Sequence, residues 1–340
     1  MKRQMIPFLA ILSILLIPFS SLAQNTTQKG NHEQIRTNSA SFTILCPNFL
    51  SSYVKDLYTD AKKNHTGLSF RLINANPFDT FSNFEKGQAD IAFGFNPFPE
   101  KRSTRKIEVL KNPSGQDILS IQIGKTGLMI LTHRANPLKG LTLFQADAIF
   151  SSERKCGYPF NITKWGQLGL SGAWIEQPVH LMGLTRQSFA AKLFQQMVLC
   201  GGSIKSDFRE QIDNSDVIAQ VSADKRAIGF CTLSQNLQQA KTVPVAAREG
   251  SNYILPSEKN ILSGMYPLTK TIFLFVRLPN NKALPSWKKL LIKKALDTNG
   301  QTSLGKYGAI PIYPEGFKRD INYLFKEAVT GRKKGKDHIT

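Results

Sequence analysis

The chain has 340 residues, enough for one large or two ordinary domains with a substantial core. Its 44 Lys and Arg residues against 24 Asp and Glu give a formal charge of +20, which favours anionic partners: phosphate-like ligands, anionic polymers or envelope lipid surfaces. The four cysteines, Cys46, Cys156, Cys200 and Cys231, stand too far apart for a close-pair metal motif; no metal site, cofactor or nucleic acid is expected.

The N-terminus reads as a targeting segment. Lys2 and Arg3 form a charged start, Met5 to Phe19 an apolar stretch, and Ser21-Leu22-Ala23 supplies small residues for cleavage near Ala23. The apolar stretch is too short for a comfortable membrane span, and no later segment is long and uncharged enough to be one. The expectation is an exported protein, periplasmic or secreted, without a transmembrane segment in its mature form. Its charge then falls to +18, because Lys2 and Arg3 leave.

Residues 24–40 are polar and read as a flexible leader. A strand is expected over Ser41–Leu45, then a turn at Cys46-Pro47-Asn48 and a helix through Phe49, Tyr53, Leu57 and Ala61. Leu68–Ile73 reads as a second strand and Phe78–Lys86 as a short helix closed by Gly87. Gln88–Phe93 is a third strand, and the apolar run Gly127–Leu131 suits a buried one. Asn136-Pro137 makes a turn. Leu141–Phe150 has helical spacing, with Leu143, Ala146, Ile149 and Phe150 on one face. A polar excursion follows, up to Asn161-Ile162-Thr163-Lys164-Trp165.

Beyond it come a strand at Val179–Gly183, helices at Ser188–Leu199 and Ser215–Val221, and strands at Ala227–Phe230, Val243–Val245 and Ile272–Val276. Trp287–Leu296 is an amphipathic helix with a lysine-rich face, Ile321–Val329 a last helix, and 330–340 a disordered basic tail. The alternation argues for an α/β fold. The histidines (His32, His65, His133, His180, His338) include no pair at ligand spacing. Neither a His-Glu-x-x-His nor a Gly-x-Ser-x-Gly motif occurs. His180 reads as a satisfied core residue, and catalysis is not expected.

The Asn136-Pro137 turn, the Leu141-Thr142 start of a helix running into Ile149-Phe150, and Ile162-Thr163 before Trp165 resemble the phosphate-binding protein family of bacterial ABC importers. Ala227-Ile228-Gly229-Phe230 stands where relatives carry Ala-Ile-Gly-Tyr. Tyr266-Pro267-Leu268, Gly300-Gln301 and Gly308 with Pro311 extend the similarity over roughly Ser41 to Ile312. The resemblance implies a two-lobed periplasmic binding protein (Venus flytrap, type 2) with a hinge. Its first lobe would comprise 41–125 and 240–329 and its second 126–239, with crossings near Gly124–Gly127 and Ala240–Val245, and the lobes would close over a ligand. Three cysteines then fall in the second lobe. A disulfide among Cys156, Cys200 and Cys231 is one expectation and free buried thiols the other.

In such lobes the helix after the first strand aims unpaired N–H groups and its positive dipole end at an anion. Asn48 and Ser51 or Ser52 are the polar candidates there, the alternative being that Asn48 merely caps the helix. The ligand loop after Gly87-Gln88-Ala89-Asp90-Ile91 contributes Asn96, and the second lobe Thr185, Arg186 and Ser188. Relatives carry an arginine after the glycine and a Ser-Gly-Thr at the helix start. This chain has Leu184 in the first place and Ser188-Phe189-Ala190 in the second. The usual guanidinium is absent from its position, a ring stands where backbone would approach a ligand, and the acidic ligand position near Asn96-Pro97 has no carboxylate. The implied function is an exported, monomeric solute-binding protein that captures phosphate or another small oxyanion in an interlobe cleft and delivers it to an ABC importer permease. The alternative is a changed pocket serving as a sensor or interaction module for a partner protein or anionic polymer; an exported hydrolase ranks behind both.

Overall fold

The computed structural model describes residues 40–63, 67–96, 106–112, 116–234, 236–279 and 284–317. The targeting segment, the leader, the helix expected at Ile321–Val329 and the basic tail lie outside the described residues. Strand β1 (Ala40–Cys46) leads through a single 3-10 turn at Asn48–Leu50 into α1 (Ser51–Lys62). Pro47, with φ of −68°, holds the extended entry into that turn. Helix α1 buries Tyr53, Val54, Leu57 and Ala61, the three-to-four spacing of one helical face. Strand β2 (Leu68–Asn74), helix α2 (Thr80–Glu85) and strand β3 (Ile91–Gly94) follow, and β1 pairs parallel with both β2 and β3. Helix α2 stops as expected before Gly87, whose φ of +91° is the left-handed exit that glycine permits.

After β4 (Ile107–Leu110), strand β5 runs for 16 residues, Ile118–His133. The sequence suggests only Gly127–Leu131 in its second half as strand, because Gln122, Gly124, Lys125 and Thr126 interrupt the pattern. Gly124-Lys125-Thr126 has the Gly-Lys-Thr ending of a nucleotide-phosphate loop. It is embedded in β5, paired with β12 and β13 described below, so it forms no loop around a phosphate. Strand β6 (Leu141–Thr142) opens α3 (Leu143–Phe150) through a reciprocal cap. The Gln145 N–H donates to Thr142 Oγ1 at 3.1 Å and the Thr142 N–H to Gln145 Oε1 at 2.9 Å.

The second set of parallel strands comprises β7 (His180–Leu184), β8 (Arg209–Gln211) and β9 (Ala227–Thr232), with α4 (Phe189–Met197) and α5 (Asn214–Ala223) between them. β9 is buried almost throughout, which explains its near-continuous apolar sequence. The segment expected as one strand at Val243–Val245 is instead two, β10 (Ala240–Thr242) and β11 (Val245–Ala246). Pro244 between them has no N–H for a ladder. β10 pairs with Leu131–His133 of β5 and β11 with β6. Both partners lie within 126–239, so the pairing with that segment continues through Ala246.

Helix α6 (Glu258–Leu262) precedes β12 (Thr269–Arg277), which slots antiparallel between β3 and β5. Helices α7 (Ser286–Leu296) and α8 (Thr298–Lys306) and strand β13 (Ile310–Pro311) complete the described chain. The main sheet has the order β2-β1-β3-β12-β5-β9-β7-β8. β5 pairs with β12 along Ile118–Gly127 and with β9 from Leu128 to Thr132, so one strand carries the sheet from one lobe into the other. Gly127 sits at that changeover, where a Cβ would stand 2.4 Å from the Leu268 carbonyl oxygen. Of the expected cysteine arrangements, Cys156–Cys200 is the disulfide, while Cys46 and Cys231 are free and buried.

Helix α7 is tied to α1 by Lys294, whose Nζ lies 2.5 Å from Asp60 Oδ2. That hydrogen bond holds the Asp60 carboxyl below its ordinary range and raises Lys294. A depressed carboxyl stabilises the fold above its unfolded-state pKa and loses that contribution as pH falls through its folded value. Asp60→Asn should therefore cost no more than about 1 kcal/mol at pH 7, and the gap to the parent should close below about pH 4. Urea unfolding at pH 7 and pH 3 measures it.

Candidate functional site

In open α/β sheets ligands collect beyond the carboxyl ends of the parallel strands. In the first lobe those ends are Cys46, Asn74 and Gly94; in the second they are Leu184, Gln211 and Thr232. Three phenylalanines join the two sets. Phe49, in the turn after β1, stacks on Phe189, the first residue of α4, with ring centroids 3.9 Å apart and planes 12° apart. Phe95, directly after β3, lies 6.0 Å from Phe49 and 5.8 Å from Phe189. Three predicted site residues are their chain neighbours: Asn48 beside Phe49, Asn96 beside Phe95, and Ser188 beside Phe189. The fold thus gathers these three around one cluster of rings.

Asn48 is exposed, and no side chain caps the turn it begins; the alternative of a capping asparagine does not hold. Ser51 donates its hydroxyl to Asn74 Oδ1 at 2.8 Å, linking the ends of β1 and β2. Cys46 lies behind it, its sulfur 3.8 Å from Ser51 Oγ, and burial pushes its thiol up to about 11, so it is neutral at physiological pH. Ser188 caps α4, accepting the Ala191 N–H at 3.1 Å, and Thr185 steadies the loop by accepting the Ser188 N–H at 2.8 Å. Asp213 caps α5 in the same way, its Oδ1 accepting the Asp216 N–H at 3.0 Å.

Arg186 does not join this group. Its guanidinium pairs with Glu210, donates to the Lys205 carbonyl at 2.7 Å and lies over the Phe208 ring. The backbone N–H of Arg186, followed by its guanidinium, holds Glu210 below the ordinary carboxylate range. The positive charge of Arg186 is thus answered by Glu210 of β8. Phe49 and Phe95 were not singled out from sequence as site residues. The signal was an aromatic beside a polar residue at each strand end, which is also the pattern of ordinary core packing.

His180, half-buried, has its Nδ1 2.5 Å from Asp224 Oδ2, so its polar contact is a carboxylate at the far end of β7. A cavity of about 310 Å³ lies at the opposite end of β3 from Phe95. There Asp90 accepts the Thr43 N–H, and Arg277 donates to the Phe84 carbonyl; both serve backbone groups. Among the described residues no cluster of three or more His, Cys, Asp or Glu could hold a metal ion, and no helix is long and apolar enough to cross a membrane.

Residues 31–293 match the PBP superfamily domain. The phosphate-binding protein PstS of Pseudomonas aeruginosa is 32% identical over 228 residues, 67% of this chain and 71% of that protein. The chain belongs to the phosphate-binding protein family of the PBP superfamily. Solved structures agree on the fold. A possible phosphate binding protein from Planctomyces limnophilus superposes with a TM-score of 0.64 at 15% identity, covering 86% of this chain and 97% of its own. An ABC-type phosphate transport receptor from Vibrio cholerae gives 0.58 at 18% identity, covering 79% and 98%. The family is one of binding proteins, and its two-lobed α/β architecture is the one described above. Where relatives carry the loop arginine, this chain has Leu184, 8% exposed.

Proposed function

We propose that the chain is an exported solute-binding protein that captures phosphate in the groove between its lobes and hands it to an ABC importer permease. The observation that carries this reading is the convergence of Asn48, Asn96 and Ser188 at the facing strand ends, beside a helical turn that no side chain caps. In a chain of this family, such a turn offers backbone N–H groups to an anion. Thr185 and Ser188 supply hydroxyls, while Ser51, whose hydroxyl is held by Asn74, orders the strand ends beside them. Arg186, already held by Glu210, shapes the loop from behind. The mature protein works as a monomer, begins after Ala23, and acts by binding alone, without catalysis. Its lobes move about β5 near Gly124–Gly127 and about a return crossing between Ala246 and Thr269.

Calorimetric titration with phosphate, sulfate and an organophosphate tests the reading. Phosphate should bind with a one-to-one stoichiometry. Ser188→Ala should weaken it by about tenfold, the loss of one hydrogen bond to a charged group. Arg186→Gln should change affinity less than about threefold, since its charge is internally paired. Absence of heat across the panel would sink the proposal.

A further inference from the structure

Phe49 and Phe189 come from different lobes, yet their rings are in full face contact, with Phe95 (5% exposed) packed against both. Centroids 3.9 Å apart leave no space between the faces for an anion. Phe78 backs the cluster at 6.3 Å from Phe95, so the first-lobe half of the contact is braced by its own neighbours. Opening the groove exposes two aromatic faces to water, and only closing it restores the stack. We infer that Phe49 and Phe189 are affinity-setting residues, a latch that holds the lobes together without ligand and must part before one enters.

The physical reason is population shift. Lobes closed over a ligand held between these rings cannot also stack them, so the ligand's apparent affinity is lowered by the fraction of molecules that are stacked, and an aromatic pair adds stability to the latched state beyond its area burial. Removing either ring abolishes the same contact. The two substitutions should therefore be non-additive, which independent packing losses are not.

The experiment measures the ligand-free protein first. Spin labels at Lys63→Cys just after α1 and Lys192→Cys in α4, both exposed positions, report the distance between lobes; Cys46 and Cys231 are buried. The parent should give a single short distance, and Phe49→Ala or Phe189→Ala a longer, broader distribution. Phe49→Tyr, which keeps the ring, should match the parent, and Phe49→Leu replaces the alanine variant if that one melts below the assay temperature. Distances that do not change on removing either ring would overturn the latch. The second readout rests on the phosphate reading: each alanine variant should bind phosphate roughly three- to tenfold more tightly, and the double variant no more tightly than either single one. Weakened or additive binding would also overturn the latch. Should phosphate bind none of the proteins, the phosphate reading falls while the distances still decide the latch.

Discussion

Replacing both Cys156 and Cys200 by serine should lower the free energy of unfolding by about 4 kcal/mol. The bond joins residues 44 apart in sequence, and closing a loop of that length removes a large part of the unfolded chain's freedom. The folded side supports a cost near this size. The loop after α3 carries little secondary structure of its own and is fastened at few points. The Cys156 N–H donates to Asp147 Oδ2 at 2.9 Å. Lys205 reaches across to the carbonyls of Ala148, Ile149 and Ile162 at 3.0, 2.7 and 3.3 Å, where the end of α3 leaves acceptors unpaired. Asp147 is fully buried, and burial raises its carboxyl above the ordinary range. Without the disulfide the loop is left to these polar contacts and to those of Ser152 and Glu153 with Ser203. Urea unfolding of the parent, the double serine variant and the parent with dithiothreitol should give one common lower midpoint for the last two. An unchanged midpoint would show that the cross-link adds nothing.

Trp165→Ala should cost about 3–5 kcal/mol, the range for deleting a buried aromatic. Trp165 is fully buried, meets Trp174 edge-on at 6.1 Å, and donates its indole N–H to the Arg226 carbonyl at 3.1 Å. Truncation leaves a cavity and removes one of the two hydrogen bonds that the Arg226 carbonyl accepts, the other coming from the His180 N–H at 3.0 Å. Trp165→Phe separates the two, since it retains most of the volume and loses only the donor, and should cost about 1–2 kcal/mol. The same denaturation measurement reads both. Equal costs for Ala and Phe would mean that the hydrogen bond, not the packing, fixes this residue.

Trp165 also shows why much of the fold was legible in the sequence. Residues that pack a core repeat with the period of their element, so α1, α3, α5 and β9 fall within a few residues of expectation. What was hidden depends on contacts between distant parts. The polar stretch of β5 is a strand because β12 and β13 pair with it. Helix α8 contains Gly300, where a Cβ would meet the Lys294 carbonyl oxygen at 1.9 Å, an approach that the sequence does not show. The groove was half legible. Asn48, Asn96 and Ser188 stand where strand ends and helix starts put them, whereas the pairing of Arg186 with Glu210 and the meeting of Phe49 with Phe189 are tertiary facts that no spacing records.

The placement of β12 carries a consequence for biogenesis. It lies between β3 and β5, with Phe273 opposite Gly94 and Val276 opposite both Ile91 and Leu119. Neither neighbour can complete its ladder until the ribosome has made the far end of the chain, and contacts between such remote segments form slowly. A nascent polypeptide built this way leaves β3 and the first half of β5 without this partner until late in synthesis, while β7, β8 and β9 can pair long before it.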